Sequence, residues 1–184
     1  MPKVGIVYFT KTDITGQLVK AASSEIESKG LDVYEHLIEG GELIEGRFVN
    51  DKVFDELRNC EAIIFASPTY MGGVAAQFKA FADATSDFWE AQEWADKIAA
   101  GITSGSAFNG DQSSTIQYFS ILASQHGMYW VGLDSANSND SINRLGCQLG
   151  VVAQSNDGIV NQLDLNTAKY LGARVSNLVL NMQK

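Results

Sequence analysis

The 184-residue chain is poor in cysteine, proline and histidine, with two of each, and it has little positive charge. Cys60 and Cys147 are too few and too far apart for a disulfide scaffold or a metal knuckle. The longest apolar stretches are interrupted within about ten residues, well short of the ~20 that a membrane span needs. Thirteen Lys and Arg stand against 22 Asp and Glu, a net charge of −9. Without a concentrated basic patch, such a chain repels nucleic acid. The first residues enter a strand-like run at once and leave no room for a signal peptide, so a cytoplasmic location is expected. What remains is the profile of an ordinary globular chain, 45% hydrophobic and 19% charged. One domain over residues 1–184 is the expectation at this length.

Apolar runs alternate with segments of helical period. "KVGIVYF" (3–9), "LDVYEHLI" (31–38), "EAIIFASP" (61–68), "DKIAAGITS" (96–104) and "MYWVGL" (128–133) read as strands. Between them, helices are predicted over 15–30, 50–60 (with Asn50 as its cap), 72–89 and 114–127, and a last helix over 165–182. Residues 134 to about 163 form a long polar segment. Strands that are apolar on both faces call for helices on both faces, hence a doubly wound parallel α/β sheet. Five strands favour the order 2-1-3-4-5, with a ligand crevice at the carboxyl ends of strands 1, 3 and 4.

Three loops leave those ends. "TKTDITGQL" (10–18) packs Thr10, Thr12 and Thr15 into six positions at the start of a helix. Backbone amides, the helix dipole and hydroxyl donors suit a phosphate there without a lysine cluster. Equally, Thr10 and Thr12 can shape a turn while Thr15 caps the helix. "SPTYMGGV" (67–74) bends at Pro68, and its glycines allow close backbone approach to a ligand. "TSGSAFNGDQSS" (103–114) is small and polar enough to wrap a planar heterocycle, or to be a plain loop.

"VYFTKTDITGQ" resembles the hydroxyl-rich phosphate loop of flavodoxins. "SPTYMGGVAAQFKAFADATSDFW", "TSGSAFNGDQSSTIQYFSILASQHGM" and "DLNTAKYLGARVSNLV" resemble more specifically the WrbA-type NAD(P)H:quinone oxidoreductases, from residue 3 to about 180. The resemblance implies a flavodoxin-like three-layer sandwich that binds FMN, with NADPH or NADH as electron donor. Its phosphate would sit among Thr10, Lys11, Thr12, Asp13, Ile14 and Thr15. Pro68, Thr69, Tyr70, Met71 and Gly72 match the segment lining the ribityl chain and ring, and Thr103, Ser104, Gly105 and Ser106 match the loop on the far side of the isoalloxazine. His126 matches a histidine beside the flavin that would orient the quinone and lend it a proton. Trp89 matches a tryptophan walling the substrate space.

The implied chemistry is a ping-pong transfer from nicotinamide to flavin to quinone, in a homo-oligomer, dimer or tetramer. The alternatives are a flavodoxin-like electron carrier, a reductase of flavin, azo or iron-chelate acceptors, and a flavin-free binding module. Asp13 stands where the family has glycine, Tyr70 where it has arginine, Met71 where it has phenylalanine, and Leu149 where it has a loop aromatic.

Overall fold

The computed structural model describes residues 1–134 and 141–183. Within the polar segment expected over 134–163, residues 135–140 lie outside that description. Strands β1 (Lys3–Tyr8), β2 (Asp32–Leu37), β5 (Ala62–Tyr70) and β7 (Ile98–Gly105) form the body of a parallel sheet, with β1 between β2 and β5, and β5 between β1 and β7. β3 (Leu43–Ile44) and β4 (Arg47–Phe48) form a separate hairpin beyond β2.

The expectation of five strands is corrected in strand number; numbered by the five expected runs, the main path of the sheet keeps the order 2-1-3-4-5. Among the described residues the sheet has seven strands: β2-β1-β5-β7-β8 on its main path, β8 being Tyr129–Trp130, and off that path β6 (Gly73–Val74), which pairs with β5, and β9 (Val151–Gln154), which pairs with β7. The outer position beside β7 is shared. β8 (Tyr129–Trp130) pairs with its amino end, and β9 (Val151–Gln154) pairs with its carboxyl end. Val151, Val152 and Ala153 of β9 are buried, although the strand lies inside the segment expected to be polar connection.

β6 (Gly73–Val74) folds back antiparallel on β5. Met71 and Gly72 between them both have positive φ, 49° and 78°. That combination is a two-residue type I′ turn. The helix expected from residue 72 therefore starts later, as α3 (Ala76–Ala84), and ends in a 3-10 turn over Thr85–Phe88.

Two cores flank the sheet. On one face, α1 (Ile14–Ser28) and α5 (Gln162–Met182) bury Leu18, Ala22, Ile26, Leu171 and Val175 against Ile6, Ile64 and Ala100. On the other, α2 (Asp51–Arg58), α3 and α4 (Gln112–Gln125) bury Phe54, Phe78, Phe81 and Phe119 against Val7, Ile63 and Phe65. Asn50 precedes α2 but does not cap it, because its side-chain amide donates to Glu42 at 2.5 Å.

α1 and α5 approach closely at Gly172, where an added Cβ would lie 2.6 Å from the Ala22 carbonyl oxygen. A backbone atom cannot swing aside as a side chain does. Alanine at that position gains up to ~1 kcal/mol of helix propensity, but overpacking costs ~1–3 kcal/mol. Gly172→Ala is expected to lower unfolding free energy in urea by about 1 kcal/mol or more. A variant as stable as wild type would show that the two helices are free to separate.

Candidate active site

The carboxyl ends of β1, β5 and β7 stand side by side, since Tyr8 pairs with Ala66 and Pro68 with Ser104. The loops 9–13, 68–72 and 106–111 therefore leave the sheet as neighbours, about 5 Å apart per strand.

Asp13, not Thr15, occupies the N-cap position of α1, in the left-handed region at φ 63°. Its side chain makes no capping bond. The carboxylate instead folds over Gly16, with Oδ1 2.4 Å from where a Cβ on that glycine would be. Within the 15-residue helix no acidic side chain occupies the first turn. Among the described residues, the amides of Ile14, Thr15 and Gly16 have no hydrogen-bond acceptor. Free amides and the positive end of a helix dipole make an anion seat.

Thr15 lies inside the first turn, 1% exposed, and its Oγ1 pairs with Ser104 Oγ at 2.8 Å. This bond links α1 directly to the end of β7. Thr10 is half-buried at the base of the loop, whereas Lys11 and Thr12 are exposed. Lys11 is the loop's single cation, so an anion here would be held chiefly by neutral donors.

Hydroxyls also stitch β5 to β7 and α4, and two of the residues that carry them, Ser67 and Thr115, were not among the expected site residues. Thr69 Oγ1 is 2.9 Å from Thr103 Oγ1 and 2.8 Å from Thr115 Oγ1, and Thr103 donates to the Ser67 carbonyl at 2.7 Å. Ser67 Oγ in turn takes the Ala75 amide at 2.9 Å. Ser67 and Thr115 are fully buried. A serine before Pro68 and a threonine on an amphipathic helix carry no distinctive sequence signal. At the rim, Tyr70, the fully exposed Met71 and Phe108 present apolar surface to solvent, while β7 ends at Gly105 and the loop begins at Ser106 beside them.

His126 and Trp89 are not brought to this crevice. α4 runs back along the sheet after β7, so His126 at its C-cap lies three residues before Tyr129, which pairs with Ile98 at the amino end of β7. Ser104 lies six residues further along β7, ~20 Å at the rise of a strand. His126 is 1% exposed, against Trp94 and Phe88. Thr85 Oγ1 donates to the Ala82 carbonyl and so accepts from His126 Nε2–H at 2.8 Å. That places the proton on Nε2 and leaves Nδ1 buried without a partner among the described residues. Burial pushes the His126 pKa below its ordinary value. Trp89 is exposed, and its Nε1 donates to the Gln125 carbonyl at 2.8 Å. Within one chain, both residues tie the turn after α3 to the end of α4.

Known proteins resemble this chain over most of its length. A family model described as NADPH-dependent FMN reductase matches residues 10–141. A flavodoxin, FldP, of Pseudomonas aeruginosa is 35% identical over 97% of this chain and 97% of its own. An NAD(P)H dehydrogenase (quinone) of Archaeoglobus fulgidus is 33% identical over 67% of this chain and 62% of its own length. The crystal structure of a WrbA-like flavodoxin from Agrobacterium tumefaciens superposes with a TM-score of 0.79 at 33% identity, covering 98% of this chain and 99% of that one. The chain belongs to the NADPH-dependent FMN reductase family, as a WrbA-type, flavodoxin-like oxidoreductase.

The setting of His126 gives a pH dependence with a definite sign. Its pKa is depressed in the fold, so below ~6.5 the unfolded chain takes up a proton that the folded chain refuses. Stability from this site is full above that pH and declines as pH falls, by at most ~1.4 kcal/mol per unit. Urea unfolding at pH 7.5 and 5.5 should show wild type losing about 1 kcal/mol more than His126→Asn. Equal losses would mean that His126 titrates normally and is open to solvent.

Proposed function

We propose that this chain holds FMN in the crevice, takes two electrons from NADH or NADPH, and passes them to a quinone in a ping-pong sequence. The observation that carries the proposal is the seat at α1: three unaccepted amides and the buried Thr15 hydroxyl at a helix start with no first-turn acid. These residues fit a single terminal phosphate. There is no G-x-G-x-x-G in the first turn, as a dinucleotide would call for. Bound there, FMN supplies the hydride and electron chemistry, and the protein supplies position and electrostatics.

Thr10, Thr12, Thr15 and the amides from Lys11 to Gly16 would hold the phosphate. Pro68 to Gly72 would line one side of the ring, and Thr103 to Ser106 the other. The apolar rim of Tyr70, Met71 and Phe108 offers one stacking space, which suits a nicotinamide and a quinone in turn rather than together. As an exposed residue, Trp89 is one that a second copy in a dimer or tetramer would be able to present. His126, sealed behind Thr85, is assigned to holding the fold. A cytoplasmic site of action belongs to the same proposal; among the described residues no helix is long and apolar enough to cross a membrane.

A second reading is an electron carrier. The full-length likeness to a flavodoxin favours it, as does a rim open enough to leave a flavin edge at the surface. Half-reactions separate the two. Stopped-flow mixing with NADH or NADPH should bleach the bound flavin, and benzoquinone should restore it in a separate mix. Steady-state rates at varied donor and quinone should give parallel double-reciprocal lines. Intersecting lines would contradict ping-pong transfer, and failure of both nucleotides to bleach the flavin would leave the carrier.

Asp13 supplies a second test. Its carboxylate stands at the phosphate seat and its backbone is left-handed, a conformation that glycine adopts without strain. Asp13→Gly is expected to tighten FMN binding about tenfold in a fluorescence titration, whereas Thr15→Ala weakens it more than Thr12→Ala does. Weaker binding by the glycine variant would give Asp13 a positive role instead.

A further inference from the structure

Two glutamine side chains hold the loop after β7 from behind. Gln112, at the start of α4, is 2% exposed and donates Nε2 to the Ala107 carbonyl at 2.6 Å. Gln154, at the end of β9, donates Nε2 to the Ser106 carbonyl at 3.0 Å. Both are well seated. The Gln112 amide packs against Gly105, with Cδ 3.1 Å from where a Cβ on that glycine would be. Gln154 pairs in register with Gly105, and its own amide donates to Asp164, which Arg144 grips with two charged hydrogen bonds of 2.7 and 2.8 Å.

A trans peptide points its carbonyl and the following N–H in opposite directions. With the carbonyls of Ser106 and Ala107 drawn back to the two glutamines, the N–H groups of Ala107 and Phe108 are turned away from them. Neither N–H has an acceptor among the described residues. β9 lies on the side of β7 remote from β5. The Ala107 N–H therefore faces the side of Pro68 and Tyr70, which is the crevice. Gln112 has a further mark of function, because its Oε1 is buried without a partner among the described residues. A buried, unpartnered amide oxygen costs stability that an apolar side chain of the same shape would not. What the glutamine adds is the donor to Ala107.

We propose that Gln112 and Gln154 are positioning residues, which set the Ala107 and Phe108 amides as paired donors to the pyrimidine edge of FMN. Negative charge gathers on that edge, at N1 and O2, when the flavin is reduced. Hydrogen bonds to a charged acceptor are about twice as strong as those to a neutral one. The pair therefore favours reduced FMN over oxidised and raises the two-electron potential. This inference rests on the reading of the crevice as an FMN site.

The test uses the FMN-loaded protein and its Gln112→Met and Gln154→Met variants, which keep side-chain length and remove the donor. Fluorescence titration gives the affinity for oxidised FMN, and equilibration with a reference dye gives the potential. Each variant should weaken reduced FMN about tenfold more than oxidised FMN, which for a two-electron couple lowers the potential by about 30 mV. Equal weakening of both states, with the potential unmoved, would make the glutamines loop supports only and overturn the inference. If wild type itself binds no FMN, the reading of the crevice fails first. Gln154 is only half-buried, so its variant decides the matter if Gln112→Met does not fold.

Discussion

The hydrogen bond between Thr15 and Ser104 is the constraint on which the crevice depends. It is buried at 2.8 Å and joins the first turn of one helix to the end of a strand two places away in the sheet. It fixes the start of α1, and hence where three free amides point. Behind it, α1 is pressed between the sheet and α5, with the backbone of Gly172 against Ala22. An anion seat made of amides is only as good as the rigidity of the turn carrying them, since a fraying helix end would let water compete for the same donors.

Neutral donors also reconcile the seat with the charge of the protein. A chain of net charge −9 has little to spare for a lysine cluster, and the exposed Lys11 is the single cation of residues 9–16. Helix-terminal amides and hydroxyls attract an anion over a short range, within the first turn, so they function whatever the distant surface charge. The same economy recurs in the loop after β7, where glutamine amides orient backbone donors with no formal charge. Asp13 is the exception, a carboxylate in a strained conformation at the place where the anion would sit.

Much of this was legible in the sequence, for identifiable reasons. β1, β5 and β7 are buried on both faces, so they are written as continuous apolar runs, and the crevice follows from where they end. The strand expected over 128–133 forms only as the two residues of β8, and the four-residue β9, which shares its edge position, was missed because so short a run leaves no period to read. The late start of α3 was hidden because Met71, an L-residue, adopts a left-handed turn that glycine usually marks. Thr15 does not cap α1, as one reading of the sequence had it: Asp13 holds that position, and the Thr15 hydroxyl bonds across the sheet to Ser104. His126 and Trp89 were placed by family motif, and a motif does not state which end of the sheet, or which copy of a chain, a residue serves. Gln154 lies in no quoted motif, and Gln112 lies in one that assigned it no role. Their role arises from two carbonyls that only the folded loop brings to them.

The central claim, that the start of α1 holds the phosphate of FMN, is tested most directly by comparing FMN with riboflavin, which differ by that phosphate alone. Fluorescence titration of the flavin-free protein with each ligand, under the same conditions, gives the contribution of the seat. Amides and a buried hydroxyl contacting a dianion are worth ~3 kcal/mol or more, from charge-assisted bonds of ~1.5–3 kcal/mol each. FMN should accordingly bind at least about 100-fold more tightly than riboflavin. Equal affinities for the two would contradict the account, because a flavin would then be held by its ring and the start of α1 would hold nothing.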